Sequence, residues 1–359
     1  MARLNFILPS LPTKPVGGVK NMFQFANRLR ERGHDVTIYY SIRRPFKKQK
    51  TPVWLRLLIS KLRKGKVASW FALDPSISQE IIPEVSDRHI RDADASMCTW
   101  WQMAYAINEL GPSKGFKVNF IQDYELWTGQ EERVHESYKL PVQHVVIAKY
   151  LQDIVEKFGG VRPPLVNTPI DTSHFRMIKG ASERSSQSVI MMYSEEPRKG
   201  TQYGIEALRI LKKEVPSLKV TLFSVYQRSQ EVPDWMDFFT RPSNLVELYN
   251  EHAIFFSPSL GEGWALPPAE SMACGCAVVC TDIGGHRDYA IDGQTALLVP
   301  AKDVTAMAAA IKKLIEDDSL RMSLSRNGHR LISTEFTWDQ AVLKLEQILK
   351  NAVFLRPNG

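Results

Sequence analysis

Short apolar segments that alternate with amphipathic helical segments constrain this fold more than any other feature of the sequence. Residues 4–8 are apolar, residues 19–32 have helical spacing, and residues 36–40 are rich in β-forming side chains. This pattern is typical of a βαβ unit, and it predicts a parallel sheet with helices on its faces. The other segments expected in the first half are strands at 95–99, 117–121 and 145–148 and a helix at 101–110.

A second alternating series follows a polar, turn-rich stretch near residues 162–188. The expected strands are 189–193, 218–223, 254–257, 277–281 and 296–299, and the expected helices include 203–214, 268–274 and 338–353. With 359 residues, two domains are a better expectation than one core. We therefore predict an α/β protein with two Rossmann-like doubly wound domains, at 1–168 and 169–335, and a helical segment 336–359 that could cross back to the first domain. Ligands bind at the carboxyl ends of such strands, so we expect a site in a central cleft between the two domains.

Four cysteines occur without a signal-peptide pattern, which indicates reduced thiols and a cytoplasmic protein. Cys274, Cys276 and Cys280 lie among small residues and lack a second pair of metal-binding side chains at suitable spacing, so we interpret them as buried residues beside a turn. The sequence contains no run of 18 apolar residues that would predict a membrane-spanning helix.

Positive charge is concentrated in residues 41–66. This segment contains ten Lys or Arg residues and no acid, whereas the whole chain has a net charge of +7, so the rest of the chain is acidic. Seven apolar residues interleave with the charges, as in a helix that lies on an anionic membrane surface: Val53, Trp54, Leu55, Leu57, Leu58, Ile59 and Leu62. A solvated helix that covers the core is the alternative. Nucleic acid is not expected, because no RNA-binding or helix-turn-helix pattern accompanies the charges.

Two loops have the composition of ligand sites. Gly17 and Gly18 precede a helix after the first strand, where backbone amides could face a phosphate. After the strand expected at 254–257 comes a glycine-bracketed loop with Glu262, then prolines that suit a helix start, and then Glu270. A lone glutamate near a helix start usually complements the helix dipole. Two glutamates eight residues apart around such a loop indicate a site that could receive the hydroxyls of a ribose and a sugar.

The segment 258–300 resembles the retaining GT-B glycosyltransferases of glycosyltransferase family 4. The similarity rests on Pro258-Ser259, on the Glu-x7-Glu pattern, on a small-residue helix, on Gly284-Gly285 and on the run 292–300. This resemblance implies that Glu262 holds donor-sugar hydroxyls, that Glu270 holds the ribose, and that Lys199 contacts the diphosphate. Gly17 and Gly18 would form a first-domain phosphate loop. The resemblance also implies that amides of the loop hold the donor, and these belong to Gly263, Trp264, Ala265 and Leu266.

The sequence departs from the family pattern at several positions. Ser194 stands where the family has an arginine, so either Arg198 is the second phosphate cation or Lys199 is the only one. Gln122-Asp123 replaces the usual His-Asp, which makes Asp123 the likelier polar contact to the reacting sugar. Asp288 replaces a glutamate, and the loop 224–242 lacks the usual Gly-x-Gly, so the base cannot be assigned. We expect His286 to lie near the cleft, and aromatic residues such as Tyr124, Trp127 and Trp264 could stack on a sugar.

The implied reaction transfers a sugar from a nucleoside-diphosphate sugar to a hydroxyl acceptor with retention of configuration. We assign catalytic roles to Glu262, Lys199 and Asp123. No metal or resident cofactor is expected, and we interpret the Asp92-Ala93-Asp94 motif as a solvated loop. The basic segment favours a lipid-linked or cell-envelope glycan as acceptor and a peripheral location on the inner face of the plasma membrane. The alternatives are a GT-B epimerase or phosphorylase, and a catalytically silent scaffold.

Overall fold

The computed structural model describes residues 1–13, 16–47, 51–62 and 70–354. The chain divides into two compact units. Unit 1 comprises Met1–Thr168 together with Ala341–Gly359, and unit 2 comprises Pro169–Gln340.

Unit 1 contains a six-stranded parallel sheet. Its elements are β1 Arg3–Leu8, α1 Gly17–Glu31, β2 Asp35–Ser41, α2 Val53–Leu62, β3 Ser78–Ile82, β4 Ala95–Cys98, α3 Trp101–Asn108, β5 Phe116–Ile121, α4 Glu131–Ser137, β6 Gln143–Val146 and α5 Lys149–Gly159. The strand order is β3-β2-β1-β4-β5-β6, and in the register of the central strands Phe6 lies opposite Ile38 on one side and Met97 on the other. The inner strands are apolar along most of their length because helices can cover both faces of a parallel sheet.

Unit 2 repeats this architecture. Its elements are β7 Ser188–Met192, α6 Thr201–Glu214, β8 Lys219–Ser224, β9 Asp237–Thr240, α7 Leu245–Glu251, β10 Ile254–Ser257, α8 Leu266–Ala273, β11 Ala277–Thr281, β12 Ala296–Val299, α9 Val304–Glu316 and α10 Asp318–Glu335. The sheet is again parallel, in the order β12-β11-β10-β7-β8-β9. The predicted fold class of two doubly wound α/β domains is therefore confirmed.

Each sheet reverses its strand order once, between β1 and β4 in unit 1 and between β7 and β10 in unit 2. Loops that leave the carboxyl ends of these paired strands diverge and leave a crevice for a ligand. In unit 2 the loops after β7 and β10 carry Lys199 and Glu262. In unit 1 the helix that follows β1 begins with Gly17 and Gly18. The topology thus directs the residues singled out in the sequence to the ligand-binding edge of their own sheet.

The last helix, α11 Trp338–Phe354, begins at the end of unit 2 and continues into unit 1. Its Glu346 is buried and receives two hydrogen bonds from the Arg32 guanidinium, at 2.8 and 2.9 Å. The imidazole Nε2 of His34 lies 3.0 Å from the same carboxylate. These contacts join the C-terminal helix to the segment between α1 and β2.

Two strands were missed in the sequence, β3 and β9, and both lie at the edge of their sheet. Their side chains are mostly exposed or half-buried, so they lack the apolar runs that identify the inner strands. A second difference concerns α8, which begins at Leu266 and not at residue 268. Glu270 therefore lies in the second turn of this helix, because Leu266, Pro267 and Pro268 form the first.

Candidate functional site

The candidate site in unit 2 is built from two loops that hold each other at the carboxyl ends of β7 and β10. The amide of Leu260 donates to the carbonyl of Arg198 at 2.7 Å. Gly200 ends the turn that carries Lys199 with a φ of +64°, and a Cβ at this position would lie 2.1 Å from the carbonyl oxygen of Pro258. A residue with a side chain is excluded there both by the left-handed backbone and by the close loop.

Lys199 and Glu262 form an ion pair at this junction. The ammonium lies 2.8 Å from Oε1 and 2.9 Å from Oε2 of the carboxylate, and the hydroxyl of Ser259 donates to Oε1 at 2.9 Å. The side chains of Lys199 and Glu262 are only 15% and 8% exposed. They line a cavity with residues from the end of β7, from β10, from the loop that follows β10 and from the start of α8: Met192, Phe255, Phe256, Ser257, Pro258, Ser259, Ala265, Pro267 and Pro268.

The backbone of Glu262 rests directly on Gly285. A Cβ on Gly285 would lie 2.5 Å from the carbonyl oxygen of Glu262 and 2.6 Å from its Cβ. Beneath the loop, the hydroxyl of Thr281 donates to the carbonyl of Ser259. The Gly-Gly motif of the sequence therefore serves to bring a backbone segment against the loop that carries Glu262.

His286 lies in the interior of unit 2, where it is fully buried. Its Nδ1 lies 2.7 Å from the carbonyl of Thr281 and must therefore carry the proton, so Nε2 accepts from the Ser257 hydroxyl at 3.3 Å. Burial lowers the pKa of this imidazole below its ordinary value, while Glu262 and Lys199 exert opposing electrostatic effects on it. His286 is thus a neutral residue that supports the strand ends beside the ion pair.

Glu270 is buried on α8, where the hydroxyl of Tyr249 donates to its Oε2 at 3.3 Å. Burial and the carboxylate of Glu270 raise the pKa of Tyr249 well above its ordinary value, so this phenol remains a donor at neutral pH. The tyrosine was not singled out in the sequence. It precedes β10 and carries no motif, and only the fold brings it to Glu270.

Two expectations for the loop 263–266 are wrong. The amide of Ala265 does not face a ligand, because it donates to the carbonyl of Gly285 at 3.1 Å. The indole of Trp264 is 7% exposed and packs between Tyr289 and Phe336, so it offers no open face to a sugar. The loop folds back over the Gly-Gly segment, and this inward turn places Trp264 in the core.

The segment after β7 contains Ser194, which differs from the family pattern, and Arg198, the candidate for a second phosphate cation. The amide of Ser194 donates to the hydroxyl of Thr201, which in turn donates to the Ser194 carbonyl at 2.7 Å. The Arg198 guanidinium is 44% exposed and donates to Glu196 at 3.1 Å. Ser194 therefore shapes the turn, and Arg198 lies at its surface beside an acid and is not among the residues that line the cavity.

In unit 1, Gln122 connects the Gly17-Gly18 helix start to two strand ends. Its Nε2 donates to the carbonyl of Gly18 at 3.1 Å and to the hydroxyl of Thr99 at 3.0 Å, and its Oε1 accepts from Asn21 at 3.0 Å. A Cβ on Gly18 would lie 3.3 Å from the same amide nitrogen. The residue that replaces the usual histidine thus fixes the position of the glycine turn.

Asp123 follows Gln122, and its carboxylate accepts from the amide of Tyr124 at 2.9 Å. The next acidic residue, Glu125, is buried and accepts from the amide of Trp101 at 2.7 Å. Burial raises the pKa of Glu125 to about 8, and the neighbouring Asp123 adds to this effect. Sequence reasoning missed Glu125, because nothing in the chain around it shows that the carboxyl turns inward.

Cys274, Cys276 and Cys280 are buried as predicted, whereas the Asp-x-Asp motif is held by hydrogen bonds and is not simply a solvated loop. Cys98, Cys274, Cys276 and Cys280 are free and buried. Asp94 accepts from the amide of Arg3 at 2.6 Å, and Asp92 pairs with Lys114 at 2.7 Å, so both carboxylates serve local structure. Within the described ranges, no group of three His, Cys, Asp or Glu residues could hold a metal ion.

Residues 177–331, which lie within unit 2, match the family described as glycosyl transferases group 1. The capsular polysaccharide biosynthesis glycosyltransferase CapM of Staphylococcus aureus is 29% identical over 114 residues, which amount to 31% of this chain and 30% of CapM. The match thus spans less than a third of that relative's length.

Among solved structures, the sucrose-phosphate synthase of Thermosynechococcus elongatus has a TM-score of 0.72 at 16% identity, over 98% of this chain and 99% of that chain. Anabaena Alr3699/HepE in complex with UDP-glucose has a TM-score of 0.71 at 14% identity, over 98% of this chain and all of that one. The chain therefore has the GT-B fold, and its second unit carries a segment that matches the glycosyl transferases of group 1.

Proposed function

We propose that this protein transfers a sugar from a nucleoside-diphosphate sugar to a hydroxyl acceptor, with unit 2 holding the donor. The observation that carries the proposal is the Lys199–Glu262 ion pair, which lines a cavity at the reversal of strand order inside the family-matched segment. The related fold of Alr3699/HepE, whose structure contains UDP-glucose, supports a nucleotide sugar as the donor.

Lys199 has the chemistry required at a departing diphosphate. An ammonium group has three N–H donors, and two of them suffice for the two oxygens of Glu262, so a third is available to an incoming anion. Fixed positive charge in a partly buried site stabilises the negative charge that develops on the diphosphate as the glycosidic bond breaks.

We assign the remaining donor contacts to the two glutamates, with Glu262 on hydroxyls of the sugar and Glu270 on the ribose. In this proposal the reaction retains the anomeric configuration: the leaving diphosphate takes the proton of the acceptor hydroxyl on the same face of the sugar. Asp123 contacts the reacting sugar from unit 1, and the Gly17-Gly18 turn contributes amides to the phosphates. No metal ion is needed, since Lys199 and backbone dipoles supply the positive charge. The proposed class is a retaining hexosyl- or deoxyhexosyltransferase.

We further propose a lipid-linked or cell-envelope glycan as the acceptor, with the protein bound to the inner face of the plasma membrane through residues 41–66. On α2, Trp54, Leu58 and Leu62 follow one another at four-residue intervals and are 68%, 52% and 80% exposed, so they form an apolar stripe on one face. The role of CapM in capsular polysaccharide synthesis is consistent with such an acceptor.

The positive charge of residues 41–66 is partly compensated by an acidic residue outside the segment. Arg43 is compensated by Glu84, at 2.9 Å, so the ten cations are not all unpaired. Lys48, Lys50, Arg63, Lys64 and Lys66 lie outside the described residues. Among the residues that the structure describes, no helix is both long and apolar enough to cross a membrane.

The donor proposal is tested by calorimetric titration with UDP-, GDP- and dTDP-sugars, followed by turnover assays with acceptors. We expect Lys199→Ala and Glu270→Ala each to weaken binding of the preferred donor by about 10- to 100-fold, since each removes a hydrogen bond to or from a charged group. Lys213→Ala and Glu247→Ala are matched controls, because both side chains are exposed in unit 2 and Glu247 also lies near a helix start. Unchanged affinity in both site variants would refute the site. Release of free sugar or sugar phosphate without transfer would instead indicate an epimerase or a phosphorylase.

The membrane proposal is tested by flotation with liposomes that contain increasing fractions of anionic lipid. Replacement of Trp54, Leu58 and Leu62 by serine should abolish flotation, whereas Leu343→Ser should have no effect, because Leu343 is an exposed leucine on another helix. Flotation that does not depend on anionic lipid, or that survives the triple substitution, would contradict the proposal.

A further inference from the structure

A cluster of aromatic side chains lies beyond the carboxyl ends of β2, β4 and β5 in unit 1. Phe46 stacks on Trp101 with ring centroids 5.6 Å apart, and Trp100 packs edge-on against Trp127 at 5.8 Å. This is the edge of the sheet at which parallel α/β domains bind ligands. The cluster shares no residue with the lining of the cavity around Lys199 and Glu262.

Trp127 presents a large apolar ring to solvent, with 59% of its surface exposed. The ring of Phe46 is less available, because Trp101 lies on it and the guanidinium of Arg133 sits 4.5 Å from its centroid. An exposed indole held edge-on by a second indole is a rigid surface on which the apolar face of a sugar ring can stack.

A positively charged side chain adjoins these rings. The guanidinium of Arg44 lies 5.4 Å from the ring centroid of Trp100, which also contacts Trp127. Its Nε is buried and makes no hydrogen bond to any residue that the structure describes. The preceding residue differs in this respect, because Arg43 is paired with Glu84.

Two further cations, Arg56 and Lys47, interact electrostatically with Arg44. Burial and the charge of Arg56 lower the pKa of Arg44 below its ordinary value. The pKa of Lys47 is also lowered, first by the charge of Arg44 and then by burial. Cations that repel one another in this way bind an anion favourably, since the anion relieves the repulsion.

The backbone holds this cluster in a strained conformation. Trp100 has a φ of +80°, which is unfavourable for a residue with a side chain. The amide of the following residue, Trp101, donates to the buried carboxyl of Glu125, and this bond fixes the turn that presents the Trp100 indole. Glu125 is accordingly a positioning residue for the cluster.

We infer that Trp127, Arg44, Lys47 and Arg56 form an acceptor subsite for a saccharide that carries an anionic group, the sugar ring stacking on Trp127 and the anion meeting Arg44. The role of this saccharide as the acceptor rests on the function proposed above, whereas its binding to the subsite does not. The anion can belong to a soluble sugar phosphate or to the phosphate of a lipid-linked saccharide. The recognition chemistry is the same in both.

The inference is tested by calorimetric titration with glucose 1-phosphate, methyl glucoside and inorganic phosphate. We expect glucose 1-phosphate to bind most tightly, because only this probe has both a sugar ring and a strong anion. Arg44→Gln and Trp127→Ala should each weaken its binding by about tenfold, Arg44→Lys should retain most of it, and Arg43→Gln should have little effect. A farnesyl phosphodiester of glucose then distinguishes the two sources, since a gain in affinity from the chain indicates a lipid-linked saccharide.

Titration of Lys199→Ala separates this subsite from the donor site, and glucose 1-phosphate should bind this variant as it binds the unaltered protein. The inference is overturned if inorganic phosphate binds as tightly as glucose 1-phosphate, if Trp127→Ala or Arg44→Gln leaves the affinity unchanged, or if Lys199→Ala alone abolishes binding. Titration of nucleotide sugars in the same variants keeps the two proposals apart. Absence of donor binding would reject the proposed function and leave the saccharide measurement valid.

Discussion

Replacement of Glu346 by glutamine tests whether the C-terminal helix is held to unit 1 by charge. The carboxylate of Glu346 is buried on α11, where it receives two hydrogen bonds from Arg32 and lies 3.0 Å from His34. Glutamine retains the size of the side chain and one acceptor oxygen but removes the negative charge. The substitution therefore isolates the electrostatic part of the contact.

The magnitude follows from the pKa of this carboxyl group. Hydrogen bonds from Arg32, and secondarily from His34, lower the pKa of Glu346 from 4.5 to about 2 against the opposing effect of burial. Since one pKa unit corresponds to 1.36 kcal/mol, the charge contributes at most about 3 kcal/mol to the stability of unit 1 at neutral pH. Arg32 is 40% exposed, so solvent screening reduces this value, and we expect about 2 kcal/mol.

The sign of the pH dependence follows from the lowered pKa. The stabilisation is fully present above pH 4.5 and is lost as the pH falls towards 2, because the protonated carboxyl resembles glutamine. The free energies of unfolding of the unaltered protein and of Glu346→Gln should therefore differ most at pH 7, and the difference should shrink below pH 4.5 as the pH falls towards 2.

Urea denaturation followed by pulsed hydrogen exchange and mass spectrometry measures the two units separately. Peptides from α1 and β2 should show the difference in stability between the unaltered protein and Glu346→Gln. Peptides from unit 2 should show no such difference. Glu136→Gln is the matched control, because Glu136 forms an exposed ion pair with Lys139 in the same unit and should change stability by less than about 1 kcal/mol. A difference at pH 7 that persists unchanged at pH 3, or no difference at pH 7, would refute the reasoning.

Two further predictions concern the loops. Gly285→Ala places a Cβ within 2.6 Å of Glu262, so it should displace the loop that carries Glu262. We expect this variant to destabilise unit 2 by about 1–3 kcal/mol and to abolish nucleotide-sugar binding. The Cβ of Gly261→Ala meets no atom within 4 Å, so this control substitution should be tolerated. Thermal unfolding and calorimetry of the two variants check this, and equal behaviour would contradict it. Gln122→Ala removes the bonds that hold Gly18, so amide exchange near residues 17–20 should accelerate by about tenfold. Unchanged exchange rates would show that Gln122 does not fix the turn.

The inner strands of both sheets were predictable because they are buried on both faces and appear as continuous apolar runs. Glu262 stood out because it lies in a glycine-bracketed loop after such a strand, and Lys199 was singled out through the family resemblance, but their ion pair was not predicted. The edge strands β3 and β9 were not, because half-exposed strands carry polar residues that resemble a loop.

The remaining differences arise from backbone direction, which local sequence does not determine. Trp264 sits between two glycines and prolines in a loop that looked exposed, yet the loop turns inward and buries the indole at 7% exposure. The Ala265 amide is occupied for the same reason. Glu125 is one of several acids after β5, and only the fold shows that its carboxyl accepts from the start of α3.

The division of the chain gives unit 2 the topology of a domain insertion. Unit 1 is made of two separate stretches of sequence, whereas unit 2 is the single continuous stretch between them. Unit 2 can therefore be excised as residues 169–340. Unit 1 cannot be obtained by truncation at residue 168, because the truncated chain lacks Glu346. Arg32 and His34 would then have lost the carboxylate with which they pair. A circular permutant that joins residues 341–354 to Met1 through a short linker would restore the missing helix. Such a permutant would allow the proposed binding of a saccharide by unit 1 to be studied in the absence of unit 2.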